Sequence, residues 1–350
     1  MILIVGAGLS GLLTAYLLKK EGIPFKILEA RNRVGGRINT LYRTDEAPIE
    51  MGATWFTQQH KHIATLLKEL EIERFEQFMD SRVYYQPSAT SPAQLVQIPS
   101  QAPSYRISGG TSNLINTLFH KLDKTDVLLN QSVKHIKFNE NSVLVHAEKI
   151  FEASKVVIAI PPKLWANNIL FEPRLPEDLM NVAVQTQTWM EESIKVALTF
   201  SEPFWEQENL PGTLFSNVGP ITELYDHSNH KRSNYALCGF INASYKHLSY
   251  TERQESVLNQ LKNIFGERIE DFANYEECVW SKEDNTFLAS EVPLYPHQNN
   301  GNPIFNKSYF DDRLLISSAE VASAFPGYMD GAVLAAKVTA KKIIKAQHGE

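Results

Sequence analysis

The chain has 350 residues, 43% hydrophobic and 21% charged, which suits one large globular domain or two modest ones and excludes a disordered or collagen-like chain. Its net charge of −6 leaves no basic excess for a phosphate backbone, so nucleic acid is not an expected partner. Two cysteines, Cys238 and Cys278, are too few for a disulfide framework or a four-thiolate metal site; no metal is expected, and the cytoplasm is the expected compartment.

In chain order, Met1–Val5 is a continuous apolar run, the pattern of a buried parallel strand. Met1 to Leu18 is uncharged, but it lacks a basic start and a small-residue cleavage site, so it does not read as a secretion signal. Gly6–Gly11 is a glycine turn, Leu12–Lys20 a helix ended by Gly22 and Pro24, and Phe25–Leu28 a second strand. Strand, glycine loop, helix and strand make a βαβ unit. Leu128, Val133, Ile136, Val143 and Val145 mark short strands, and Val156–Ile160 a buried one closed by Pro161 and Pro162. Between Phe171 and Asn285 the texture changes: Ile194–Phe200 alternates in the manner of an antiparallel strand with two unlike faces. Arg313–Ile316 is a last short strand, and a helix follows from about Gly327 to Lys345, with Lys337, Lys341 and Lys345 spaced by four on a solvated face. No other uncharged run approaches the roughly 20 residues of a membrane span, so no membrane partner is expected. The expected fold class is α/β, a dinucleotide-binding domain with a parallel sheet, built from separated segments, with a more β-rich domain inserted.

The chemistry begins at Gly6-Ala7-Gly8-Leu9-Ser10-Gly11, which fits G-x-G-x-x-G with a strand before it and a helix after it. Gly6 permits a tight turn, Gly8 lets the backbone approach a pyrophosphate, and Gly11 lets helix and strand pack closely. The helix start, at Leu9 and Ser10, offers free N–H groups and a positive dipole end. Glu29, at the end of the second strand, suits a ribose diol and repels a 2′-phosphate. A chance glycine turn would not carry this whole context. The glycines alone do not separate NAD from FAD. The next stretch, Glu29-Ala30-Arg31-Asn32-Arg33-Val34-Gly35-Gly36-Arg37, sets arginines either side of a glycine pair, a second device for a pyrophosphate or the rings beyond it.

This extended pattern, with Glu50-Met51-Gly52-Ala53-Thr54-Trp55 downstream, resembles the flavin-containing amine oxidase family. The likeness continues through Arg106-Ile107-Ser108-Gly109-Gly110, Val133, the strand ending in Pro161-Pro162, Ile194-Lys195 before Pro203-Phe204-Trp205, and Glu320 followed by Pro326-Gly327-Tyr328-Met329-Asp330-Gly331. The resemblance implies a Rossmann-type FAD-binding domain from residues 1–75, 100–172 and 286–346, and an α+β substrate domain from 76–99 and 173–285. The flavin ring is expected at their interface.

It also implies an oxidoreductase that takes a hydride equivalent from the carbon beside an amine nitrogen and passes electrons to O2, releasing peroxide; small amines and O2 are the expected partners. Lys195 is implied beside the flavin, bridged by water, where an ammonium favours negative charge as oxygen is reduced. By periodicity alone it is a solvated lysine; the Phe204-Trp205 context favours the site. Tyr328 is implied over the flavin face as one wall of an amine cage, with Gly327 and Met329 at a helix start facing the flavin and Glu320 holding part of the cofactor. Gly52, Ala53, Thr54 and Trp55 are implied at the flavin, with Phe56 near it, and Val133 at the adenine. Trp205 and Trp280 read as core residues, and the histidines as mostly surface groups.

Departures are also visible. Ala289 stands where some relatives bind FAD through cysteine, so FAD is expected to be non-covalent, and Ser290 stands at the second cage aromatic. Phe287 is a neighbouring ring that could replace it. Ser317-Ser318-Ala319 replaces a small, glycine-containing stretch, and the chain is short for the family, which implies a simpler substrate entrance. Two alternatives stay open on sequence: a renalase-like dihydronicotinamide oxidase or C–C desaturase of the same fold, and a flavin-binding protein without turnover.

Overall fold

The computed structural model describes residues 1–290 and 292–349. Five parallel strands form the central sheet in the order Val127–Leu128, Phe25–Leu28, Ile2–Val5, Lys155–Ile158, Leu314–Ile316. Both faces are covered, which is why these strands are apolar apart from Lys26 and Lys155 near their starts. Ile2 and Ile4 enter one core, with Leu12 and Leu13 of the helix Leu9–Lys20 and Val333 and Ala336 of the helix Met329–His348. Leu3 and Val5 enter the other, with Ile136, Val143 and Val145 of a four-stranded sheet and Trp165. Each buried leucine, isoleucine or valine among them contributes about 1.5–3 kcal/mol by leaving water.

A second, seven-stranded sheet runs Asn274–Val279, Ile194–Phe200, Tyr235–Ile241, Ile221–Asp226, Leu214–Ser216, Arg82–Gln86, Gln94–Gln97. Ile194, Val196, Leu198, Leu224 and Leu237 line its inner face against Val257 and Leu261 of the helix Tyr250–Phe265. That helix is fixed by a reciprocal cap, in which Ser249 accepts from the Glu252 N–H and Glu252 accepts from the Ser249 N–H. The opposite face carries Lys195, Ala197 and Cys238, and Ala197 and Cys238 pack on Ala47, Ile49 and Met51 from the first part of the chain. The alternation of Ile194–Phe200 thus has two buried faces. Lys195 is 2% exposed, so it is not a solvated lysine. The reason lies outside its strand, in Thr54 and Trp55 beyond the Ala47–Met51 segment and Phe240 on the next strand, which cover it.

Candidate active site

The glycine turn and the start of the C-terminal helix line one cavity of about 440 Å³, with Gly8 and Leu9 in its wall at one place and Tyr328 and Met329 at another. Gly6, Ser10, Glu29, Ala30, Arg31, Gly36, Arg37, Gly52, Ala53, Thr54, Trp55, Val133, Lys195 and Gly327 also line it. Two expected residues do not. Gly11 lies behind the turn, where a Cβ would stand 2.0 Å from the Gly6 carbonyl oxygen. Glu320 is fully buried behind Arg37, whose Nη1 sits 2.6 Å from its Oε1, so its direct contact is with the arginine and not the cavity.

The glycines meet different constraints. Gly6 has φ +103°, open to glycine and costly for other residues. Gly8 has extended backbone, and a Cβ there would meet nothing within 4 Å and project into open space. The helix Leu9–Lys20 has no side-chain cap at its start, so its first N–H groups are left for a ligand. Glu29 is buried and oriented, accepting from the Ala7 N–H at 2.7 Å and the Arg31 N–H at 2.9 Å. Arg31 itself reaches Thr286 Oγ1 at 2.7 Å and Glu283 at 3.3 Å. Arg33 turns back on its own loop, with Nη1 donating to the Val34 and Ile38 carbonyls, and so does not serve as an anion donor. Its burial, with Arg31 nearby, lowers its pKa from the usual guanidinium range.

Lys195 Nζ donates to Thr54 Oγ1 at 3.0 Å and lies 4.4 Å from the Trp55 ring and 4.7 Å from the Phe240 ring. Two aromatic faces and one hydroxyl therefore hold a nearly dry ammonium. Tyr328 stands at the N-cap of the helix Met329–His348, with no side-chain cap there. Its ring is 5.5 Å from Trp189 and 5.7 Å from His297, and these two stack on each other at 3.8 Å. Gly327 allows this grouping, since a Cβ there would fall 2.7 Å from Trp189 Cβ. His60 lies 5.5 Å from Tyr328, and burial lowers the pKa of both His60 and His297.

Several expectations need correction. Phe56 is 1% exposed and belongs to the core, not the cavity. Trp280 lines the cavity while its Nε1 donates to the Met51 carbonyl at 2.7 Å, so it is both core and wall. His60 and His227 are buried, because tertiary packing and not local pattern places them. Ala289 and Ser290 are exposed and outside the cavity wall; Phe287 lies 5.6 Å from Lys163 Nζ and is also outside it. The ring beside Tyr328 is Trp189, which sequence reasoning missed because it sits in an irregular segment, fixed when Arg37 Nη1 donates to its carbonyl at 3.2 Å. Also missed was the buried pair of Lys163 and Glu191 at 2.6 Å.

The residues present fit an FAD. Ser318 Oγ and Gln131 Oε1 are buried at the cavity wall with no partner among the described residues, and Gly8 leaves the space a side chain would fill. Among the described residues no helix is long and apolar enough to cross a membrane.

Comparison with known proteins agrees. The family profile described as flavin containing amine oxidoreductase matches residues 9–106 and 84–344. A probable flavin-containing monoamine oxidase A of Dictyostelium discoideum is 22% identical over 442 aligned positions, covering 95% of this chain and 94% of the relative. Flavin-containing amine oxidase B of Homo sapiens is 23% identical, covering 99% of this chain and 86% of the relative. Among solved structures, putrescine oxidase bound to putrescine superposes with TM-score 0.84 at 23% identity over 98% of each chain. Cyclohexylamine oxidase from Brevibacterium oxydans does so with TM-score 0.86 at 19% identity over 99% of each chain. The chain belongs to the flavin-containing amine oxidoreductases, and it is an FAD-dependent oxidoreductase with a Rossmann-type fold.

Proposed function

We propose that the chain oxidises a small amine at its C–N bond, with O2 as electron acceptor and H2O2 as product. One observation carries the reading: the phosphate-type cradle at Gly8 and the aromatic group at Tyr328 share a single cavity with Lys195. Bound FAD supplies the two-electron acceptor. The uncapped helix start at Leu9 and the bare backbone at Gly8 hold its pyrophosphate. Glu29 orients its ribose, and Val133 and Gln131 flank its adenine. Tyr328 and Trp189 present ring faces that orient the amine. Lys195, held dry between Trp55 and Phe240, stabilises negative charge on oxygen as it is reduced. Neither Cys238 nor Cys278 is among the residues that line the cavity, so FAD is held without a thioether bond.

The same reading divides the chain into an FAD-binding part, 1–75, 100–172 and 286–346, and a substrate part, 76–99 and 173–285. It also sets the protein in the cytoplasm, where its two unpaired thiols would persist. Recovery of the protein in a washed membrane fraction would count against that location. The activity test uses purified protein. It should be yellow, lose its colour anaerobically with amines, form peroxide on re-aeration, and release its flavin to the supernatant in acid. Colour loss with dihydronicotinamides alone, or with no organic donor, would overturn the reading.

A further inference from the structure

Behind the cavity wall lies a buried ion pair that the reaction does not use. Lys163 Nζ stands 2.6 Å from Glu191 Oε1, with 3% and 6% of the two side chains exposed. Lys163 is the second residue of the short helix Pro162–Asn168, which follows the strand Lys155–Ile158 of the parallel sheet. Pro161 and Leu164 beside it line the cavity, and so do Trp189, Met190 and Ser193 on either side of Glu191. The same ammonium lies 3.4 Å from Ser290 Oγ and 5.6 Å from the Phe287 ring, in the segment that follows the cavity residues Asp284, Asn285 and Thr286. One buried charge ties three stretches of the wall together from behind.

Stability does not account for the pair. Taking two charges out of water costs about what their attraction returns, and a packed apolar pair of similar volume does as well or better. Glu191 is also only half satisfied: its Oε2 is buried without a partner among the described residues, and burial pushes the carboxyl's pKa up. Arg37, the next cation, is taken by Glu320 and by the Trp189 carbonyl. What such a pair can confer is a fixed register between the elements that carry it.

That register bears on Trp189. Thr188–Glu191 is a tight turn in which the Glu191 N–H donates to the Thr188 carbonyl at 3.2 Å. Met190, third in the turn, has φ +62°, a position that ordinarily goes to glycine. A residue with a side chain keeps that conformation where its surroundings hold it. Arg37 holds the Trp189 carbonyl, His297 stacks on the Trp189 ring, and Lys163 anchors the end of the turn through Glu191. Lys163 in turn is set by the cofactor cradle, because Ile160 packs on the glycine turn: a Cβ on Gly6 would fall 2.6 Å from Ile160 Cγ2. The path from cradle to ring is short, through Ile160, Lys163 and Glu191 to Trp189.

We propose that Lys163 and Glu191 are positioning residues: the pair sets the Trp189 ring relative to the cofactor cradle, and with it the orientation in which the amine meets the flavin. This rests on the reading of Tyr328 and Trp189 as the rings that orient the amine.

The test compares wild-type holoenzyme with two variants, each checked for flavin content and urea midpoint. One is the apolar pair Lys163→Met/Glu191→Leu, which should keep the wild-type midpoint. The other is Glu191→Asp, which keeps the charge but draws the carboxylate back by one methylene, and which carries the test should the apolar pair not fold. Anaerobic flavin reduction by n-butylamine and by benzylamine gives kred and Kd. In both variants kred should fall about tenfold or more while Kd changes less than about threefold, since a misaimed amine still binds. A second readout needs no turnover. Trp189→Phe is made in each background, and the tryptophan emission that it removes reports that indole alone. This emission should shift to longer wavelength in both variants, as the ring leaves His297 for water. Both readouts must move together: wild-type kred, or an unmoved Trp189 emission, overturns the proposal and leaves the pair a structural tie. If no amine reduces the wild type, the amine reading fails, and the emission alone decides whether the pair places Trp189.

Discussion

At the scale of single residues, the glycine turn separates two roles that a sequence pattern merges. Gly11 is a packing glycine: a methyl group there would stand 2.0 Å from the Gly6 carbonyl oxygen and 3.3 Å from Ala159 Cβ. Gly8 is a space-giving glycine with nothing within 4 Å. Gly11→Ala should therefore destabilise the protein by about 1–3 kcal/mol, read as a lower urea midpoint of the apoprotein. Gly8→Ala should change that midpoint by less than about 0.5 kcal/mol yet purify with little flavin. The reverse pattern would mean that the cradle does not hold the cofactor. Lys195 gives a second contrast. Lys195→Met keeps the length and the packing on Trp55 and Phe240, and Thr54 Oγ1 retains its bond to the Gly52 carbonyl at 3.0 Å. Flavin should stay bound, while stopped-flow reoxidation by O2 slows tenfold or more, the scale of one electrostatic contribution of about 1.4 kcal/mol. Unchanged reoxidation would remove Lys195 from that role.

At the scale of elements, the short helix Lys61–Glu69 shows how one segment positions another. Nine residues are marginal as an isolated helix, and its own His60 gives no side-chain cap. Asp330, in the first turn of Met329–His348, supplies the cap instead by accepting from the Ile63 N–H at 2.8 Å. That bond also fixes His60, whose ring touches Phe325 and Tyr328. Asp330→Ala should cost about 1–2 kcal/mol, seen as a lower denaturant midpoint at unchanged slope, and Asp330→Asn should cost less because an acceptor remains. A cost equal in the two variants would point to charge and not capping. Elements defined by their own side chains were legible in the sequence: Phe25–Leu28 and Ile194–Phe200 fall where their patterns put them. The helix Leu9–Lys20 starts three residues earlier than its apolar run, since Leu9 and Ser10 already close the glycine turn. What was not legible is set by partners far away in sequence. The parallel pairing of Arg82–Gln86 with Leu214–Ser216, the position of Trp189 beside Tyr328 and the bulge at Thr222 in the strand Ile221–Asp226 all depend on contacts that no local pattern encodes.

At the scale of the whole molecule, a three-stranded sheet (Phe56–Thr57, Ser104–Ile107, Arg74–Glu76) meets the seven-stranded sheet in a seam of buried polar groups, and this makes the fold sensitive to acid. Arg106 donates to the Ser228 carbonyl, and Gln77 Nε2 to the Asp226 carbonyl at 2.6 Å, while Gln77 Oε1 accepts from Trp55 Nε1 at 2.8 Å at the cavity. His227 lies in this seam, 1% exposed, with Nδ1 unpartnered among the described residues. Burial, then the charges of Arg106 and Lys195, push its pKa well below 6.5. Unfolded, it regains the ordinary value, so below about pH 6.5 the unfolded chain binds a proton that the native protein refuses. Its contribution is therefore present above that pH and lost as pH falls, by up to about 1.4 kcal/mol per pH unit. His60 and His297 shift in the same direction, while Glu50 and Glu191, raised by burial, lose their contribution as pH rises through their raised values. The difference between wild type and His227→Gln isolates the histidine from these. Urea midpoints of both proteins measured from pH 7.5 to 5.5 should converge as the pH falls, because the variant lacks the proton-linked loss. Parallel curves would show that His227 accepts its proton within the folded seam.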